Sequence, residues 1–261
     1  MSTSSAYPLS CPDAFALAGR LGFDGVEVMV WRDAVSQDGT ALAALSRYHE
    51  VPVLSVHAPT LLLTRGVWDG GPAHKLRRSC ELAVGLGAGV VVAHPPFRWE
   101  QRHAEVFTET VLELEREHSV IIAVENMFPW RVGRYRARAY LPHWDPIGQD
   151  WPHVTLDLSH AATAGQDGLA LARGLGDRLA HLHLGDGRGT SRDEHLVPGD
   201  GLQPCDGVLR LLAARNWEGR VVVEVNTRRM GPVRRERALA RSLAFARWHL
   251  SEPPNGPGGS G

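Results

Sequence analysis

Six successive apolar runs finish in side chains able to bind a metal. Val51–His57 ends at His57, Val90–His94 at His94, Val120–Glu125 at Glu125 and Val154–Asp157 at Asp157. Leu179–Leu184 carries His183 and Arg220–Val225 carries Glu224. His160 follows Asp157 by three positions, and Arg192-Asp-Glu-His-Leu-Val-Pro-Gly-Asp-Gly201 adds Asp193 and His195. A lone His or Glu after a buried strand is usually a hydrogen-bonded or solvated loop residue. Six in register differ, because collecting several carboxylates away from water without a counter-charge is very costly. A divalent cation is the simplest neutraliser, and mixed imidazole and carboxylate donors suit Zn, Mn, Co or Fe. Glu27, at the end of Gly25–Val30, has two readings of equal weight: orienting a ligand or substrate hydroxyl, or an ordinary strand-end role.

Such residues converge only if the elements beneath them do. Most of the runs are nearly continuous Val, Ile and Leu, as expected of parallel strands covered on both faces. Between them lie amphipathic stretches: Pro12–Leu21, Ala41–His49, Lys75–Leu86, Ala104–Glu117, Leu169–Leu175, Val208–Arg215 and Arg234–Leu250. Gly22, Gly87 and Gly176 punctuate helix ends. Alternation of this kind implies βα units and a parallel sheet. Seven runs plus a weak first one around Ala6–Ser10 make eight, and 261 residues match a single (β/α)8 TIM barrel. A doubly wound sheet would want a Gly-rich phosphate turn after an early strand, and none is present. The expected organisation is one barrel over residues 1–250 and a Pro/Gly-rich, disordered tail over 251–261. The long connection Asn126–Trp151, rich in Arg, Pro and aromatics, has the length of a functional loop.

Composition removes other classes. The chain is 43% hydrophobic and 22% charged, which excludes a disordered or fibrous protein. Its net charge of −1 gives no global basic footprint for nucleic acid. No apolar run reaches the roughly 20 residues of a membrane span, and Met1 to Pro8 does not read as a signal peptide. Cys11, Cys80 and Cys205 form no metal-type pair and read as reduced, buried thiols of a cytoplasmic protein. His74, His103, His118, His143 and His249 have no convergent partners. Of the two basic clusters, Arg131–Arg138 could meet an anionic substrate, while Arg228–Arg237 reads as a solvated charged face.

Taken in order, Gly22-Phe-Asp-Gly-Val-Glu27, Ser55-Val-His-Ala-Pro59, Val92-Ala-His-Pro95 and Val124-Glu-Asn126 form one half of a pattern. Leu156-Asp-Leu-Ser-His160, His181-Leu-His-Leu-Gly-Asp186, His195-Leu-Val-Pro-Gly-Asp-Gly201 and Val223-Glu224 form the other. From about Ala6 to Leu250 the sequence resembles the xylose isomerase-like TIM barrel superfamily, which includes sugar isomerases and epimerases and the endonuclease IV group. For the sugar-converting members, the resemblance implies one divalent ion on Glu125, Asp157, His183 and Glu224. Glu125 and Glu224 would then move a proton while the metal polarises the neighbouring carbonyl and hydroxyl. His160 would bind a substrate oxygen, with Arg188 a weaker candidate for an anionic or hydroxyl contact.

For endonuclease IV members the resemblance implies three zinc ions held by nine residues. Their counterparts here are His57, His94, Glu125, Asp157, His160, His183, Asp193, His195 and Glu224. The leading expectation is a cytoplasmic, metal-dependent isomerase or epimerase of a small carbohydrate or sugar phosphate. Its cofactor would be Mn2+, Zn2+, Co2+ or Mg2+, between one and three ions per chain. The alternative is a trinuclear zinc phosphodiesterase of the abasic-site nuclease type, and only that reading brings nucleic acid as a partner. A third reading is a non-catalytic sugar-binding barrel. The Trp130- and Arg-bearing segment after Glu125 would cover the mouth and offer a ring for a sugar face. No membrane is expected as a partner, and the sequence leaves room for a homo-oligomer.

Overall fold

The computed structural model describes residues 1–59, 66–132 and 135–251. Among them the strands are β1 (Val26–Met29), β2 (Val53–His57), β3 (Val90–Ala93), β4 (Ile121–Glu125), β5 (Trp130–Val132), β6 (Tyr135–Ala137), β7 (Val154–Asp157), β8 (Leu179–Leu184) and β9 (Arg220–Val223). The helices are α1 (Cys11–Leu21), α2 (Gly39–His49), α3 (Pro72–Leu86), α4 (Gln101–His118), α5 (Leu158–Ala164), α6 (Gly168–Leu175), α7 (Cys205–Ala214) and α8 (Pro232–Ser251). Seven strands pair in parallel in the order β1-β2-β3-β4-β7-β8-β9, and β5 pairs antiparallel with β6 alone. The chain is a TIM barrel. Every residue of β3 and β7 is buried, as strands enclosed on both faces require.

The gap between β9 and β1 is filled differently from the expectation. Ser2 donates its amide to Val223 O at 2.9 Å, and Glu27 donates to Met1 O at 2.9 Å. Met1 and Ser2 thus take the eighth position, and Ala6–Ser10 is not a strand. Pro8 has no amide to give a ladder. Ser10 is committed to a capping box with Asp13 at the start of α1, after a 3-10 helix at Thr3–Ala6.

Two elements escaped the periodicity reading. Helix α5 starts directly after Asp157, whose carboxylate accepts the His160 amide at 2.7 Å and caps it. The connection after β4 is also structured: hairpin β5–β6 sits over a small core of Phe97, Met127, Ala139 and Tyr140. Arg178 ties the same connection down, donating to Gln149 O at 2.6 Å and Ile147 O at 3.1 Å. At the other end of the chain, Ser251 closes α8. The tail expected to be disordered, residues 252–261, lies outside the described residues. None of the described helices is long and apolar enough to cross a membrane, and Cys11, Cys80 and Cys205 are free and buried.

Candidate metal centre

Parallel register brings the ends of the strands to one level. Asp157 lies opposite His183 in the β7–β8 ladder, Glu125 closes β4, and Glu224 follows β9. The ligand atoms of Glu125, Asp157, His183 and Glu224 lie within 4.8 Å of one another. His183 is the centre of this quartet. Its Nδ1 is 2.9 Å from Glu125 Oε1, 2.9 Å from Glu224 Oε2 and 3.5 Å from Asp157 Oδ2.

The other ring nitrogen of His183 is already committed. Nε2 lies 3.1 Å from Glu27 Oε1, while Glu27 Oε2 accepts the Ser55 hydroxyl at 2.8 Å and lies 3.1 Å from His181 Nε2. A buried carboxylate at Nε2 favours a ring proton there and leaves Nδ1 as the nitrogen from which a cation would displace the proton, an arrangement common behind metal-bound imidazoles. Of the roles open to Glu27, the structure places it against the histidine.

Two further groups adjoin the quartet. Glu125 Oε2 faces His94 Nε2 at 2.8 Å and His57 Nε2 at 3.3 Å. Asp193 Oδ2 faces His195 Nε2 at 2.8 Å and His160 Nε2 at 3.2 Å. Glu125 therefore has one oxygen on each of two clusters. All nine residues named from the sequence converge on this mouth, and Asp157, His160 and His195 form another potential ligand set.

The electrostatics follow from this crowding. Burial pushes the Glu125 carboxyl up, but the surrounding His183, His160 and His94 hold it well below the usual carboxylate range. Glu224 feels the same opposition, and His183 brings it to about 2. Burial disfavours charge on His183, yet Glu224, Glu27 and Glu125 raise it well above an ordinary histidine. His160 rises to about 10 against burial, through Asp157, Asp193 and Glu125. These opposed effects describe a place that demands positive charge.

The donor set fits a divalent cation on a separate observation. Among the described residues Asp157 Oδ2 is buried and has no hydrogen-bond partner, with His183 Nδ1 at 3.5 Å. Its companion Oδ1 is satisfied by the His160 amide. An orphaned carboxylate oxygen facing a histidine ring nitrogen and two glutamates is what an oxygen- and nitrogen-ligated ion would satisfy.

Neighbouring residues that the sequence reading passed over hold these ligands still. Asn126 and Asp157 clamp β4 to β7 beyond the ladder, the Asn126 side chain donating to Asp157 O at 3.0 Å and accepting its amide at 2.6 Å. Ser159 donates to Asp193 Oδ1 at 2.7 Å and accepts the His195 amide at 2.9 Å. Ser4 donates to Glu224 Oε1 at 2.8 Å. His195 sits at φ 44°, a left-handed conformation uncommon outside glycine. Asp186 organises the loop that carries Asp193 and His195, accepting the amides of Gly187, Gly199, Gly201 and Gln203 at 2.7 to 3.0 Å. His181 shares the inward face of β8 with His183 because strand side chains alternate with period two, a signal available beforehand.

Two further expected substrate contacts have partners within the chain. Arg188 is exposed and lies 3.2 Å from Glu194. Trp130 is half-buried in an aromatic group, its ring 5.8 Å from Trp99 and 6.0 Å from Phe97. Arg134 lies outside the described residues. The second basic cluster is not uniformly solvated: Arg235 is buried and donates to Thr227 and Met230, while Arg228 lines a cavity beside Glu224.

Comparison with known proteins agrees with this architecture. An uncharacterised protein of Mycobacterium leprae is 49% identical over 270 residues, covering 96% of each chain. Fructoselysine 3-epimerase of Escherichia coli O157:H7 is 42% identical over 255 residues, covering 90% of this chain and 92% of that one. A solved D-tagatose 3-epimerase-like protein superimposes with a TM-score of 0.70 at 22% identity, covering 96% of this chain and 98% of the other, and so shares the fold. Residues 15–248 match the family described as xylose isomerase-like TIM barrel. The chain belongs to the xylose isomerase-like TIM barrel family.

Proposed function

We propose that this protein is a divalent-metal-dependent epimerase or isomerase of a sugar or sugar phosphate. The observation that carries the reading is the quartet around His183 Nδ1, with Glu125 and Glu224 each 2.9 Å from that atom. Relatives that include a sugar epimerase at 42% identity support the reaction class. A divalent ion held by Glu125, Asp157, His183 and Glu224 would polarise a substrate carbonyl and adjacent hydroxyl and stabilise an enediolate. Mn2+, Co2+, Mg2+ and Zn2+ are all compatible with this donor set.

The chain's own part is proton transfer. Each glutamate keeps one oxygen turned away from His183: Glu125 Oε2 beside His94, and Glu224 Oε1 beside Ser4. One of these oxygens takes the proton from the carbon next to the carbonyl, and the C–H electrons pass to the carbonyl oxygen. The other carboxyl enters the step carrying a solvent-derived proton and delivers it to the opposite face of that carbon, restoring the carbonyl with inverted configuration, and proton exchange with solvent resets the pair. His160 holds a substrate oxygen through Nε2 and is itself anchored at Nδ1 by Asn126 O, 2.9 Å away. Trp130, with Trp99 and Phe97, offers the sugar an aromatic face at the mouth. Arg188 belongs to this reading only if it exchanges Glu194 for a substrate anion. Incubating ketohexoses with metal-loaded protein in deuterated water tests the proposal: it expects deuterium at the inverted carbon, and full activity in metal-free protein would sink it.

A second reading rests on the convergence of all nine His, Asp and Glu residues, with Glu125 bridging two clusters. That set would suit a trinuclear zinc phosphodiesterase, since clustered ions stabilise attacking and leaving oxygens. Metal counting separates the two: about three zinc ions per chain would favour hydrolysis, one exchangeable ion epimerisation.

A further inference from the structure

On the Glu224 side the barrel mouth continues into a cavity of about 780 Å³. His195 and Glu224 form part of its wall, so whatever occupies the quartet has this space beside it. The volume lies within the roughly 300–1,000 Å³ of pockets that take drug-sized ligands, more than a bare monosaccharide needs. Its far wall is aromatic. Tyr7 and Trp31 lie with ring centres 5.5 Å apart, and the Arg228 guanidinium carbon is 5.2 Å from the centre of the Tyr7 ring.

The charges in this wall are unequal in what they leave over. Asp33 spends both oxygens on backbone amides, Oδ2 on Cys11 at 2.9 Å and Oδ1 on Val35 at 3.0 Å. Glu224 is taken by His183 and Ser4. Arg228 is exposed, and among the described residues no carboxylate pairs with its guanidinium. A cation stacked on a ring and facing a cavity is a ready receptor for a phosphate or carboxylate.

We infer that the substrate is a sugar extended by an arm ending in an anionic group, an inference that rests on the sugar-converting reading above. The sugar sits at the quartet, the arm lies over Tyr7 and Trp31, and the anion pairs with Arg228.

The test uses the full, metal-loaded chain with three probes: D-fructose, D-fructose 6-phosphate and an N-fructosyl amino acid. Steady-state kinetics should show one anionic probe favoured over D-fructose in kcat/KM by on the order of 10- to 100-fold, the range of one charge-assisted contact. The favoured probe identifies the anion as phosphate or carboxylate. Arg228→Ala should collapse that preference toward unity, and Arg228→Lys should restore part of it. Equal turnover of all three probes, or a preference that survives Arg228→Ala, overturns the proposal. If the wild type turns over none of them, the epimerase reading fails and calorimetric binding of the same probes decides. Tighter binding of an anionic probe that Arg228→Ala removes supports the receptor, and binding without such discrimination, or none, overturns it.

Discussion

Glu27 Oε1 lies 3.1 Å from His183 Nε2, on the side of the imidazole opposite the quartet. Both residues are fully buried, and 156 positions of sequence separate them. Replacing Glu27 by Gln keeps the shape of the side chain and removes the charge that favours the ring proton at Nε2. Metal affinity should fall by on the order of 10- to 100-fold, the usual effect of losing a partner behind a ligand. A competition titration against a chromophoric chelator reads this directly, and unaltered affinity would contradict the role given to Glu27.

The two-glutamate proton transfer makes an asymmetric prediction. Glu125→Gln and Glu224→Gln should each lower epimerisation by on the order of 100-fold or more, the scale of a lost general base. Each variant retains the carboxylate on one face only. Deuterium from solvent should therefore enter one epimer in one variant and the other epimer in the other, with metal content measured in parallel. Exchange into both epimers by either metal-loaded variant would show that a single group serves both faces.

Asp186 yields a stability prediction independent of catalysis. Its buried carboxylate accepts four backbone amides, from Gly187, Gly199, Gly201 and Gln203. Asp186→Ala leaves those donors without an acceptor, and hydrogen bonds to charged groups contribute about 1.5–3 kcal/mol each. A loss of about 3 kcal/mol or more in urea unfolding is expected. A loss under 1 kcal/mol would mean that the loop finds other acceptors.

The thiols test the packing of the barrel wall. Burial pushes Cys11 and Cys80 up to about 12, with Asp33 adding to the effect at Cys11, and pushes Cys205 up as well. A thiol with a raised pKa is almost wholly protonated at pH 8, and the thiolate is the reactive form. Iodoacetamide at pH 8 should label the folded protein slowly and all three cysteines rapidly in denaturant. Fast labelling of the native chain would show that α1, α3 or α7 opens readily.

Much of this arrangement is legible in residue order because strand chemistry is local. Val154–Asp157 and Leu179–Leu184 read as short strand-forming runs, and the observed strands have the same limits. The closing position is not legible. Met1 and Ser2 are too few to make a periodic signal, and the pairing depends on partners at Glu27 and Val223. Helix α5 is hidden for another reason: its cap is Asp157, which already reads as the end of a strand. The three-residue strands β5 and β6 fall below any hydrophobic period, so a structured hairpin looks like a long loop. Within the site, residue types at strand ends point to six candidates, His57, His94, Glu125, Asp157, His183 and Glu224, and the choice of four among them is what the family resemblance implies. The choice between roles for Glu27 needs the contact with His183, which no local pattern contains.

The account stands on a cation beside His183 Nδ1. Crystals of protein dialysed against Mn2+ and measured at the manganese absorption edge test this most directly. The expected result is an anomalous peak at about 2.0–2.3 Å from His183 Nδ1 and from oxygens of Glu125, Asp157 and Glu224. A map with no peak among those four residues, from protein that turns over its sugar, would contradict it.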